Sequence, residues 1–108
     1  MRRGELYRVQ DPGGQDPKKS RVFVVVSRQA VVDSRFPTVI CAPVHSSSFG
    51  LETQVSIGAE TGMKHESAIL CDGLLSMPKS RLTDYIGALS PSKLEELRAA
   101  LMTAIGLG

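Results

Sequence analysis

Arg21 carries the most pointed chemistry in the sequence, because it stands where a glycine-rich loop gives way to a hydrophobic strand. A guanidinium stays charged at any relevant pH, and its planar fork can bond two phosphate oxygens at once. Lys18 and Lys19 leave the same loop just ahead of it and can clamp phosphates. A second polar group, His45-Ser46-Ser47-Ser48, follows an apolar run. A histidine can move protons near neutral pH, and Ser46 beside it can donate a hydrogen bond to a phosphate or a base. His45 also reads, without chemistry, as a surface residue of a serine-rich loop.

Charge is unevenly spread. Residues 1 to 35 hold eight of the thirteen basic and four of the eleven acidic residues, a net +4, against −2 for the remainder. That asymmetry is compatible with a polyanion docking on surfaces built by the first third of the chain. Cys41 and Cys71 are flanked by strand-like apolar residues, with no Cys-x-x-Cys or Cys/His ligand spacing. They are expected as reduced core thiols, although sequence alone leaves a disulfide open. With no carboxylate cluster or histidine ligand set, neither a metal nor a cofactor is expected. His65, in a polar turn beside Glu66, is assigned no role.

The elements that position these residues must fit one compact unit, since 108 residues at 42% hydrophobic suffice for a single core. Residues 1–108 are therefore expected as one domain. The longest apolar stretch, Val22 to Val26, is far short of the ~18 residues a membrane helix needs. The N-terminus lacks a secretory h-region, so a cytoplasmic protein is expected.

Short β-type runs follow one another along the chain. Glu5 to Val9 alternates polar and apolar, and Asp11 to Pro17 is a loop on proline and glycine chemistry. Arg21 to Ser27 is the strongest strand, apolar on both faces and so central and covered on both sides. Thr38 to Val44 is a second buried strand, with Pro43 marking the end of regular pairing. Thr53 to Ile57 alternates again, and Ser67 to Cys71 runs into the Asp72-Gly73 turn. Strands at this spacing without a long helix between them predict a small antiparallel barrel. A C-terminal helix follows, capped by Ser90 or Ser92, with Leu94, Leu97, Leu101 and Ile105 on one face. The aromatics Tyr7, Phe23, Phe36, Phe49 and Tyr85 are expected in the core, which leaves no base-stacking platform.

Four segments in order resemble the MazF/PemK/Kid toxins. They are Arg3-Gly4-Glu5-Leu6-Tyr7, Arg21-Val22-Phe23-Val24-Val25-Val26-Ser27, Val39-Ile40-Cys41-Ala42-Pro43-Val44-His45-Ser46, and Ser67 to Asp72 with Lys79-Ser80-Arg81-Leu82. The resemblance implies a mainly β fold, a small SH3-like β-barrel with a C-terminal helix, acting as a homodimer with a cognate antitoxin. It implies metal-independent cleavage of single-stranded RNA, in which a 2′-hydroxyl attacks the adjacent phosphate to leave a 2′,3′-cyclic phosphate and a 5′-hydroxyl.

Such cleavage needs a proton acceptor, a cation beside the phosphorane and a proton donor for the leaving oxygen. Arg21 occupies the position of the family's catalytic arginine. His45 stands where the family has its active threonine, so it either supplies proton transfer or marks lost chemistry; Ser46 is the third catalytic candidate. Val22 replaces a usual proline and Gly73 a frequent glutamine, which bears on substrate selection more than on fold. Lys18, Lys19, Arg28, Ser47, Asp72 and Arg81 are the expected RNA contacts, with Asp72 able to accept from a base donor such as cytosine N4. Two other functions fit the same barrel: inhibition of a protein target, as CcdB relatives inhibit gyrase, or a catalytically silent RNA- or partner-binding module.

Overall fold

The computed structural model describes residues 1–10 and 19–108, so Lys18 and the loop from Asp11 lie outside the described residues. Seven strands form one antiparallel sheet: β1 (Glu5–Gln10), β2 (Ser20–Val25), β3 (Thr38–His45), β4 (Gln54–Ile57), β5 (Ser67–Leu70), β6 (Leu75–Pro78) and β7 (Asp84–Ala88). Their order is β4-β5-β3-β2-β1-β7, with β6 also paired to β3. Among the described residues there are two α-helices, α1 (Gln29–Val32) and α2 (Pro91–Ala104).

β2 is covered on both sides, as its sequence requires. Val22, Val24 and Val26 enter one apolar cluster with Leu6, Ile69 and Leu97 of α2. Phe23 and Val25 enter a second, with Tyr7, Val9, Cys41 and Met77, on the opposite face. Each fully buried valine contributes about 1.5–3 kcal/mol relative to exposure. β2 ends two residues earlier than the apolar run suggests. There the amides of Val26 and Ser27 both donate to the Ile40 carbonyl, at 2.9 and 3.3 Å, a two-against-one arrangement that ends regular pairing. The Ser27 hydroxyl then accepts from the Ile40 amide at 2.7 Å.

β3 changes partners along its length, and that corrects the expected role of Pro43. Thr38 to Cys41 pair with β6, while Val44 and His45 pair with β5. Pro43 falls at the handover, still opposite Phe23 of β2, so a residue without an amide proton sits inside the strand. Cys71, expected in the fourth strand, instead opens a 3-10 turn, Cys71–Gly73, that packs against β3. Both thiols are free and buried, Cys41 in one cluster and Cys71 in the other, and burial pushes them up to about 12 and about 11.

The sheet curls into a half-barrel. A 3-10 turn at Ala59–Thr61, just after β4, packs against β7 at the other end of the strand order. The approach depends on Gly87, where a Cβ would lie 2.0 Å from the Thr61 carbonyl oxygen. α2 closes the inner face through Leu97 and Ala100. Ser90 is the cap, accepting from the Lys93 amide at 3.2 Å, and Pro91 takes the first helical position. The helix stops in a Schellman turn, with Gly106 at φ +79 and the Leu107 amide bonded to the Met102 carbonyl at 2.7 Å. Ile105 therefore leaves the apolar face and is 58% exposed. Three of the five aromatics expected in the core are also outside it: Phe36 (61%), Phe49 (69%) and Tyr85 (54%).

Candidate active site

The β1–β2 hairpin brings cations to one end of the sheet. Val9 pairs with Arg21 and Gln10 with Ser20, so Arg21 sits one step inside the hairpin's loop end. On the other side of β2, Val22 faces Val44, which sets the next residues, Arg21 and His45, beside each other. Arg21 Nη1 lies 3.1 Å from His45 Nε2. Because a guanidinium has donors only, a hydrogen bond in this contact requires the lone pair of Nε2, which is the tautomer carrying the ring proton on Nδ1. Arg21 is exposed and His45 half-buried, so the pair faces solvent along one edge while backed by the core cluster of Val9 and Phe23.

This pair can perform phosphate chemistry. The arginine keeps further N–H groups for an anion while one holds the imidazole. Once the guanidinium turns to a phosphate, the Nε2 lone pair is released to take a proton. Ser46 and Ser47 follow directly and are exposed. Arg81 joins the same end of the molecule, its Nη2 donating to the Gln10 carbonyl at 3.0 Å. Lys19, exposed immediately before β2, completes the described basic group.

Two expected contacts are placed elsewhere. Arg28 flanks α1 at the far end of β2, seven residues from Arg21 and so about 23 Å away along an extended chain. It borders a cavity of about 710 Å³ whose apolar walls include Val31, Phe36 and Ile40. Asp72 accepts from the Thr53 hydroxyl at 2.5 Å and lies in the Cys71–Gly73 turn, past the end of the β5 strand whose Ala68 pairs with His45. Lys79, in the Lys-Ser-Arg-Leu segment, serves the fold: its ammonium caps α1 by donating to the carbonyls of Val31 (2.9 Å) and Ser34 (2.7 Å).

Residues that the sequence did not single out also share this face. Ala68 is opposite His45 and Ser56 is opposite Ala68, forming a row across β3, β5 and β4. The alternation of Gln54–Ile57 marks Ser56 as outward, but only the strand order puts it in line with His45. Tyr7 is no proton acceptor at neutral pH: burial first, and then its 2.8 Å hydrogen bond to the Glu5 carboxylate, push the phenol up to about 12. Among the described residues no group of three or more His, Cys, Asp or Glu could hold a metal ion.

A curled antiparallel half-barrel with a C-terminal helix and an arginine–histidine pair at its hairpin end defines a small toxin-type barrel. The chain belongs to the PemK-like, MazF-like toxins of type II toxin–antitoxin systems, whose family model matches residues 2–105. It is 30% identical over 89 residues to Endoribonuclease MazF3 of Mycobacterium tuberculosis, covering 82% of this chain and 85% of that one. It is 28% identical over 107 residues to Probable endoribonuclease MazF2 of the same organism, covering 98% and 99%. Among solved structures, M. tuberculosis toxin MazF-mt6 superposes with a TM-score of 0.82 at 26% identity, covering 96% and 98%. A mycobacterial endoribonuclease in complex with its cognate antitoxin superposes at 0.84 and 22% identity, covering 100% and 97%, a likeness of fold.

Proposed function

We propose that the chain is a MazF-type toxin, an endoribonuclease that cuts single-stranded RNA without needing a metal ion. The observation that carries this reading is the 3.1 Å contact between Arg21 and His45 on an exposed edge of a MazF-like barrel. The ribose 2′-oxygen attacks the neighbouring phosphorus and gives its proton to His45 Nε2. Arg21 neutralises the charge gathering on the phosphorane oxygens, and Ser46 adds a hydrogen bond. The bond from phosphorus to the 5′-oxygen breaks, that oxygen takes a proton from water or from the protonated imidazole, and a 2′,3′-cyclic phosphate remains.

The pair keeps a proton acceptor where the family has threonine, which favours retained chemistry over a silent module. Lys19 and Arg81 lead the RNA backbone toward the pair, with Ser47 beside it. A homodimer in the cytoplasm held in check by a cognate antitoxin completes this reading, and a mycobacterial endoribonuclease of the same fold solved in complex with its cognate antitoxin supports the last part. Among the described residues no helix is long and apolar enough to cross a membrane.

The test is cleavage of a long single-stranded RNA in EDTA, with analysis of the product ends. Cyclic phosphate and 5′-hydroxyl ends are expected. Activity that requires added metal, or leaves 5′-phosphates, would contradict the mechanism.

A further inference from the structure

Next to the Arg21–His45 pair, the loop after β3 and the facing ends of β4 and β5 border a half-open cavity of about 120 Å³. Ser46, Ser48, Ser56, Glu66 and Ser67 line it. Its volume is that of roughly four waters, enough for one planar ring and small for a fused bicyclic base. The register fixes its place. His45, Ala68 and Ser56 stand in one row, and at about 4.8 Å per strand Ser56 lies about 10 Å from His45. Glu66, two residues before Ala68, projects to the same side by strand alternation.

The polar groups of this cavity are unequally committed. Ser48 gives its hydroxyl proton to Gln54 Oε1 at 3.0 Å, and Ser67 gives its own to the His65 carbonyl at 3.1 Å. Among the described residues, the side chains of Ser46, Ser56 and Glu66 have no such partner. The cavity thus offers two rotatable hydroxyls and one carboxylate that can only accept when ionised. A carboxylate repels phosphate, so beside an RNA track its favourable partner is an N–H group of a base. A single ring with an exocyclic amine next to two acceptors satisfies this set.

We propose that the cavity reads one base of the RNA next to the cut and prefers cytosine to uracil. Glu66 accepts from the N4 amine and Ser56 donates to N3, while Ser46, whose one proton serves the phosphorane, lines the rim of the cavity. Uracil presents a carbonyl where cytosine has its amine, which sets lone pairs against the carboxylate. This proposal rests on the ribonuclease reading above and goes further by assigning a base and the residues that choose it.

The experiment maps the cut ends of a long RNA for the wild type, Glu66→Gln and Ser56→Ala, with folding checked by circular dichroism. The wild type is expected to favour C over U roughly tenfold at one fixed position. Glu66→Gln, whose amide can donate to uracil O4, is expected to level or invert that ratio, and Ser56→Ala to reduce it. Binding of 2′-O-methyl oligocytidylate and oligouridylate, which cannot be cut, gives the same comparison without catalysis. Cleavage with no C preference, or a C:U ratio unmoved by Glu66→Gln, overturns the proposal and leaves the ribonuclease reading standing. If the wild type cuts no RNA, that reading fails, and the binding ratio alone decides the pocket: a C preference lost in Glu66→Gln supports it, and equal binding overturns it.

Discussion

Arg21 and His45, 24 residues apart in the chain, meet through Nη1 and Nε2 at 3.1 Å because β2 and β3 pair one residue further in. The contact sets the imidazole with Nε2 toward the guanidinium. In the mechanism proposed above, substrate phosphate both binds the arginine and frees the base.

His45→Gln should separate the two roles of the imidazole. The amide can still accept from Arg21 but cannot take up a proton, so substrate binding should hold while the chemical step falls roughly a hundredfold or more. The single-turnover rate and the Kd for a 2′-O-methyl RNA measure the two effects. A His45→Gln rate equal to wild type would remove the imidazole from proton transfer.

Stability should fall in alkali. Tyr7 rises from 10.0 to about 12, Cys41 from 9.0 to about 12 and Cys71 from 9.0 to about 11 in the folded protein. The unfolded chain therefore loses these protons first. Their contribution is complete below about pH 9 and is lost as pH climbs to about 12. Urea midpoints measured from pH 7 to 11 should stay level and then decline, and Cys41→Ala should flatten the decline. A midpoint still rising above pH 9 would oppose this.

Lys79→Met should loosen α1. The substitution keeps much of the stem and removes two charge-assisted bonds to helix-terminal carbonyls, at a cost of about 1–3 kcal/mol. Urea unfolding gives the loss, and amide exchange should rise first over Gln29–Ser34. An unchanged midpoint would show that the ammonium contributes nothing.

Gly87→Ala should cost about 3 kcal/mol or more, because the new methyl meets the Thr61 carbonyl oxygen and the half-barrel must open there. Thermal unfolding measures it. A variant as stable as wild type would mean that β7 and the turn after β4 can separate freely.

How much of this was legible in the sequence depended on how far burial wrote itself into a segment. β2 was readable because valine and phenylalanine fill both of its faces, and α2 because Ser90-Pro91 opens a periodic run that Gly106 closes. β6 and β7 were missed: Met77 is the single fully buried residue of the first, and the second buries none. Short strands that shield one flank carry little alternation. α1 was missed for a similar reason, since four residues hold no helical period and the ammonium that caps them, Lys79, is 48 positions from Val31.

The site was half readable. Arg21 stood out where the glycine-rich loop meets the strand, but the sequence did not show that β2 carries Arg28 to the opposite end of the sheet. The placing of Ser56 and Glu66 on the same face as His45 was invisible, because it depends on β5 lying between β3 and β4. Residue type likewise gave no warning that Phe36, Phe49 and Tyr85 lie outside the core.

The most direct test of the Arg21–His45 pair is the single-turnover cleavage rate of Arg21→Ala in EDTA, with its thermal midpoint held as a control. Arg21 is exposed, so the midpoint should barely move while the rate drops about a hundred- to a thousandfold. Undiminished cleavage by a folded Arg21→Ala protein would place the chemistry elsewhere on the barrel.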